Sequence, residues 1–197
     1  MNIREKKAVN RPRLGEHICC LYDSDEEMLS IAIPFITAGL MLNEKCAVIT
    51  NKNGVSLFKA RLERGGIDTS GFRKTGQLVL RQDPFECPLT ASAVNLPATG
   101  NQFRVLASEL SRSGYNGYRC SFAVTDFLCH LDGHAFIERE ILLNQLLAKI
   151  PAMLLLLYDR RLLTDSILTD MLEIHPRVID NGMLYENPTY VLPEELL

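Results

Sequence analysis

Hydrophobic residues follow two different spacings along this chain. Short continuous runs, such as residues 17–22 and 152–157, are typical of strands that are buried on both faces of a sheet. Between these runs, hydrophobic residues recur every three or four positions, as at Met28, Ile31 and Phe35. This second spacing predicts helices that bury one face. The two patterns alternate over most of the chain, which predicts an α/β fold.

The alternation predicts seven strands and five helices. The predicted strands cover residues 17–22, 46–50, 77–81, 119–126, 152–157, 177–179 and 183–186, and the predicted helices cover residues 25–42, 54–64, 102–112, 135–149 and 161–173. Strands joined through helices pair in parallel, so we predict a mostly parallel sheet with helices on both faces. Asn181-Gly182 predicts the turn of a C-terminal hairpin. Residues 83–100, rich in Pro, Ala, Ser and Thr, predict a long loop or partial lid.

The junction between the first strand and the first helix differs from that of a nucleotide-binding domain. Ser24 is the predicted N-cap, and Glu27 completes a capping box. The first turn carries three consecutive acids, whereas a phosphate loop would offer glycine amides and a Lys, and no G-x-x-x-x-G-K-S/T sequence occurs in the chain. Acids suit the helix dipole but repel a polyphosphate. The sequence therefore predicts an NTPase-type scaffold whose function is something other than NTP chemistry.

Composition and charge exclude several classes of protein. The 197 residues, 47% hydrophobic and 23% charged, predict one globular domain over residues 15–197 after an N-terminal leader over residues 1–14. A net charge of -3 with scattered basic residues argues against a nucleic-acid-binding module. The longest purely apolar run, residues 152–157, is too short to cross a bilayer, and residues 1–13 lack the apolar region of a secretion signal. We therefore expect a cytoplasmic protein whose six cysteines are free thiols.

The motifs along the chain resemble those of one family of sensory domains. They are Gly15-Glu-His-Ile-Cys-Cys-Leu-Tyr22, Pro34-Phe-Ile-Thr-Ala-Gly-Leu40 with Asn43-Glu44 and Cys46, Phe136-Ile-Glu-Arg-Glu140 with Asn144, His175-Pro-Arg-Val-Ile179, and Asn187-Pro-Thr-Tyr-Val191. In this order they resemble the MEDS domain, which methanogen and methylotroph regulators share. Two positions depart from the family pattern: Leu156 stands where Cys is frequent, and Thr125-Asp126 stands where Gly-Glu is frequent. These departures indicate a remodelled pocket.

The resemblance implies a fold related to RecA and KaiC that lacks the phosphate loop. It also implies a function in prokaryotic signal transduction and transcription regulation. The domain would sense a small, hydrocarbon-derived molecule and signal to an output protein such as a histidine kinase or a DNA-binding regulator. A second copy of the chain, forming a homodimer, is a further candidate partner, and we expect no direct contact with nucleic acid or membrane.

Six residues are the predicted ligand-binding residues: His17, Cys19, Tyr22, Asp126, Tyr158 and His175. Tyr22 and Asp126 end predicted strands and Tyr158 directly follows one, and ligands of parallel sheets bind beyond the carboxyl ends of the strands. His17 and Cys19 lie two apart on one strand and therefore share a face. His175 follows the end of a helix, where it is favourable to the dipole. Structural roles as hydrogen-bonded, capping or core residues are the alternative for each of them.

Metal binding is a weaker interpretation of the same residues. An ion at His17 and Cys19 would need at least one further ligand, for which His175 or His130 is available. The prediction is therefore a site with no metal, no cofactor and no catalytic residue.

The leading hypothesis is a non-enzymatic sensory module that binds its ligand at the carboxyl edge of the sheet, under the 83–100 segment. One alternative is a hydrolase-type enzyme with a Cys19 and His17 pair, although no G-x-S-x-G elbow is present. The other is a degenerate ATPase-like assembly scaffold, which would lack a defined pocket.

Overall fold

In a computed structural model that describes residues 12–82, 96–124 and 133–191, seven strands form a sheet between layers of helices. The strands are β1 (His17–Tyr22), β2 (Lys45–Ile49), β3 (Leu78–Arg81), β4 (Tyr118–Ala123), β5 (Ala152–Asp159), β6 (Arg177–Asp180) and β7 (Met183–Glu186). The helices are α1 (Asp25–Met41), α2 (Lys52–Arg64), α3 (Thr69–Lys74), α4 (Leu96–Ser113), α5 (Gly133–Leu147) and α6 (Asp165–Ile174), with a 3₁₀ helix at Arg160–Leu162. Of the helices described, none has the length and apolar character needed to cross a membrane.

β5 lies at the centre of the sheet, whose strand order is β3-β2-β4-β5-β1-β6-β7. It pairs in parallel with β4 on one side and with β1 on the other, and all eight of its residues are buried. β6 and β7 pair antiparallel across Asn181-Gly182, where both residues have the positive φ that a two-residue hairpin turn requires. The predicted α/β fold, with its mostly parallel sheet and C-terminal hairpin, is confirmed.

Alternate residues of the strands point into two separate hydrophobic layers. Cys19 and Leu21 of β1 pack in a cluster with residues of α4, α5 and α6. Ile18, Cys20 and Tyr22 pack in a second cluster with residues of α1 and α2. Because helices cover both faces of the sheet, the central strands are continuous apolar runs rather than alternating ones.

The structure differs from the predicted elements at three helices. α3 is absent from the prediction because its six residues are too few to show a helical period; Asp68 begins it by accepting a hydrogen bond from the Gly71 amide. α4 begins at Leu96, so residues 96–100 are helical, while residues 83–95 of the predicted lid lie outside the described residues. The predicted helix 161–173 is a 3₁₀ helix followed by α6, because Thr164 caps a new helix start.

The capping box predicted at the start of α1 is present with one change. Ser24 Oγ accepts a hydrogen bond of 3.2 Å from the Glu27 amide. Glu27 Oε2 in turn accepts a bond of 2.9 Å from the amide of Asp23, one residue before the N-cap. The acidic first turn is therefore fixed by its own side chains at the position where a phosphate loop would lie.

A buried ion pair joins the α1–β2 connection to β4. Arg119 and Glu44 are each 4% exposed, and Arg119 Nε lies 2.5 Å from Glu44 Oε2 while Nη2 lies 3.2 Å from Oε1. Arg119 Nη1 also donates to the Phe35 carbonyl at 3.0 Å, and its guanidinium lies over the Phe35 ring. Gly39 leaves room for it, because a Cβ there would lie 2.9 Å from Arg119 Cδ.

We expect Arg119→Met to lower the free energy of unfolding by about 3–5 kcal/mol, because it leaves the Glu44 carboxylate buried without its counterion. Urea unfolding of the variant measures the loss. The control is Lys45→Met, which breaks the more exposed pair with Glu109 at 3.9 Å and should cost no more than about 1 kcal/mol. Arg119→Met/Glu44→Leu should regain most of the loss, and equal losses in Arg119→Met and Lys45→Met would contradict this account.

Candidate functional site

A cavity of about 250 Å³ opens at the carboxyl ends of β1, β2, β4 and β5. This is the edge at which parallel α/β sheets bind ligands. Its lining combines polar and apolar groups from the strand ends and from α1, α2 and the 3₁₀ helix: Tyr22, Asp25, Met28, Thr50, Asn51, Asn53, Gly54, Leu57, Ala123, Asp159 and Leu162. The ends of four strands and the starts of neighbouring helices therefore contribute to one cavity.

Acidic and amide side chains dominate the polar part of this cavity. Asp159 is bound by Arg161, whose Nε and Nη2 lie 2.8 and 2.5 Å from the two carboxylate oxygens. This hydrogen bonding holds the pKa of Asp159 below its ordinary value. Asn51 caps α2 by accepting a bond of 2.9 Å from the Gly54 amide. The cavity therefore presents carboxylates and amides where a phosphate site would present an ammonium.

A second polar group lies on the opposite side of the sheet, within the layer of α5 and α6. His17, Glu140 and His175 are at most 1% exposed. The Nε2 atoms of His17 and His175 lie 3.1 and 3.3 Å from the same oxygen, Glu140 Oε2. The two imidazole rings are 4.6 Å apart between centroids. We call these three residues the His-Glu-His cluster.

Backbone and amide groups orient both rings of the His-Glu-His cluster. His175 Nδ1 lies 2.7 Å from the Met171 carbonyl oxygen. His17 Nδ1 lies 3.0 Å from Asn144 Oδ1, and Asn144 Nδ2 donates to the Ile174 carbonyl at 2.7 Å. Each ring is thus held at Nδ1, which directs its Nε2 towards Glu140.

The structure divides the predicted ligand-binding residues between two faces of the sheet. Tyr22 lines the edge cavity and is paired in register with Asp159. Tyr158 is in register with Leu21 and faces the other way, with its ring centroid 6.0 Å from that of His175. His17 and His175 meet in the His-Glu-His cluster, and Asp126 lies outside the described residues.

Glu140 is the functional candidate that sequence reasoning missed. Glu138, two residues earlier on α5, is exposed, whereas Glu140 is fully buried. The signal that could have found it is the spacing of Glu140 and Asn144, which lie one turn apart on the same face of α5. Both side chains face His17. In the sequence, either residue alone is equally typical of the solvent-exposed face of a helix.

Two buried thiols, those of Cys19 and Cys46, are unsuited to nucleophilic chemistry. Cys19 is fully buried, and its burial raises the pKa of its thiol well above the ordinary value. Burial likewise raises the pKa of Cys46 to about 12. Because the thiolate is the nucleophile, neither cysteine is reactive at neutral pH.

Comparison with known proteins gives one family and one fold. Residues 16–176 match the family model described as MEDS, the MEthanogen/methylotroph, DcmR Sensory domain. Among solved structures, a KaiC-like protein from the hyperthermophilic archaeon Pyrococcus horikoshii OT3 superposes with a TM-score of 0.52, covering 84% of this chain and 70% of that chain. At 11% sequence identity this likeness concerns the fold alone. No curated protein matches the chain.

We expect the four described cysteines to resist labelling in the folded protein. The test uses the Cys87→Ser/Cys129→Ser variant, which removes the two cysteines outside the described residues and leaves Cys19, Cys20, Cys46 and Cys120. A disulfide reagent at pH 8 should label none of these in the native state and all four in concentrated guanidinium. Native labelling of Cys19 at the rate of a free thiol would contradict this and favour the hydrolase alternative.

Proposed function

This chain belongs to the family of MEDS sensory domains, and from this premise we propose that it binds a small hydrocarbon derivative in the edge cavity and signals its presence to an output protein. The match to the sensory family covers residues 16–176. The observation that carries the assignment to the cavity is its position and lining at the carboxyl ends of the strands. A fold of the KaiC type without a phosphate loop supports a ligand other than a nucleotide.

The lining of the edge cavity favours a ligand with one polar group and a short apolar part. Met28, Leu57 and Leu162 offer apolar contacts, and Thr50 and Asn51 offer hydrogen-bonding groups. The acids at the start of α1 disfavour anions. We therefore expect a neutral or cationic compound, such as an alcohol, an amine or a halogenated alkane.

The size of such a ligand limits its affinity. A compound of about five non-hydrogen atoms gains at most about 1.5 kcal/mol for each atom. Its dissociation constant is then no tighter than the micromolar range. Binding is best measured at high ligand concentration by a method that tolerates weak affinity.

Arg160 links the edge cavity to the C-terminal hairpin through ion pairs. It directly follows Asp159, and its Nε lies 3.5 Å from Asp23 Oδ1 while its Nη2 lies 2.5 Å from Asp180 Oδ1. These contacts link the β1–α1 junction, the end of β5 and the end of β6. A ligand beside Asp159 that favours one arrangement of these ion pairs would shift the surface that a histidine kinase, a DNA-binding regulator or a second copy contacts.

The two alternative functions have less support. The burial of Cys19 and its raised thiol pKa oppose a hydrolase that uses this cysteine as nucleophile. A degenerate scaffold predicts no defined pocket, whereas the edge cavity is lined by side chains from several elements.

The experiment is a titration followed by amide NMR, with methanol to butanol, the matching alkylamines and chloromethanes as probes. We expect at least one compound to shift the amide signals of Tyr22, Thr50 and Ala123 saturably. Ala123→Leu fills part of the edge cavity and should weaken that binding by at least tenfold.

The matched control for this titration is Ala60→Leu, the same change at an exposed position of α2 outside the cavity lining. It should leave the affinity unchanged. Equal weakening in both variants, or saturable shifts confined to the opposite face of the sheet, would contradict binding in the edge cavity.

A further inference from the structure

The His-Glu-His cluster brings three metal-ligating side chains to one buried point. Among the residues that the structure describes, these are the three whose ligand atoms lie within 4.8 Å of one another. They come from different elements: His17 from β1, Glu140 from α5, and His175 from the connection between α6 and β6. We propose that they bind a divalent first-row transition metal ion, with Zn²⁺ as the test ion.

The hydrogen bonds at the two Nδ1 atoms decide which ring nitrogens carry protons. A carbonyl oxygen only accepts, so His175 Nδ1 donates its proton to Met171. Asn144 uses its Nδ2 as a donor to Ile174, which turns its Oδ1 towards His17 as an acceptor. In the neutral form, both imidazoles therefore present the Nε2 lone pair towards Glu140 Oε2.

A cation placed among these three groups would be bound by all of them. Both Nε2 atoms lie close to the same carboxylate oxygen, at 3.1 and 3.3 Å. A proton on each of these nitrogens would instead place two imidazolium ions in a layer that excludes water. One divalent ion accepts all three lone pairs at once, and the carboxylate offsets half of its charge.

The distances fit a metal polyhedron. Zinc bonds of about 2.0–2.2 Å to nitrogen and oxygen place neighbouring tetrahedral ligands about 3.3 Å apart. The two observed separations from nitrogen to oxygen, 3.1 and 3.3 Å, match this edge. The two ring nitrogens, which lie within 4.8 Å, would have to approach each other to reach the same spacing when an ion binds.

The surroundings of the cluster also resemble those of a metal site. Histidine ligands characteristically donate their second ring proton to a carbonyl or a polar side chain, as both rings do here. Two imidazoles and one carboxylate suit Zn²⁺ or Fe²⁺ and are a poor set for Mg²⁺ or Ca²⁺, which require oxygen ligands. An ion here would tie β1, α5 and α6 together and stabilise the folded chain by mass action.

The test is the zinc content and the zinc-dependent melting temperature of the full chain after expression with added Zn²⁺. We expect about one zinc ion for each chain. Glu140→Gln, which keeps the shape of the side chain and removes its charge, should lower zinc affinity by at least tenfold. Asn144→Leu, which frees the His17 ring, should lower it by about ten- to a hundredfold.

Two control variants separate this site from adventitious binding. Glu138→Gln removes an exposed carboxylate two residues from Glu140 on the same helix and should retain the zinc. His130→Ala/His134→Ala removes the other two histidines of the chain and should also retain it. Loss of zinc in either control, with retention in Glu140→Gln, would overturn the proposal.

X-ray absorption at the zinc edge tests the proposal without any variant. The expected spectrum of the unmodified chain has two imidazole nitrogens and a carboxylate oxygen at about 2.0–2.2 Å. If the chain folds without zinc, and titration with zinc changes neither its zinc content nor its melting temperature, then the three residues share only protons. That result would also overturn the proposal. The edge cavity lies on the other face of the sheet. Absence of zinc binding therefore does not count against ligand binding in the edge cavity, and absence of ligand binding does not count against the zinc site.

Discussion

Burial of β5 on both faces is the constraint on which the rest of the structure depends. A central parallel strand whose eight residues are all buried requires a helical layer on each side of the sheet. Any polar group inside those layers must then have a partner, because water cannot reach it. On the α1 side, Arg119 meets this requirement by bonding Glu44 in two places. On the α5 side, Glu140 is placed between His17 and His175.

The carboxyl edge of the same sheet holds the edge cavity. In a KaiC-like fold this edge is suited to ligands, since strand ends and helix starts converge there. Here the start of α1 is occupied by its own acids, and the Glu27 carboxylate bonds the Asp23 amide in place of an external anion. The fold is therefore of the KaiC type, but this edge carries acids where a phosphate loop would offer amides and a Lys to an anion.

β1 connects the two candidate sites through the alternation of its residues. His17 points into the α5 and α6 layer, whereas Tyr22, at the other end of the strand, points into the α1 layer beside the edge cavity. Both residues belong to the one ligand site that the sequence predicts. Their separation follows from their odd spacing, since residues an odd number apart on a strand face opposite sides of the sheet.

The sequence by itself determined the strands, the parallel α/β class, the hairpin at Asn181-Gly182 and the missing phosphate loop, since these depend on local periodicity and on turn and capping chemistry. It could not determine that Glu140 faces His17 and His175. That meeting depends on the rotation of α5 about its axis and on how closely it packs against β1, which many distant contacts decide together. The short helix α3 and the early start of α4 were missed for a related reason, because weakly periodic segments become helical through caps and packing. Only the tertiary structure decided which buried polar side chains contact one another. A carboxylate that water cannot reach is stable only where hydrogen-bonding or charged partners lie beside it.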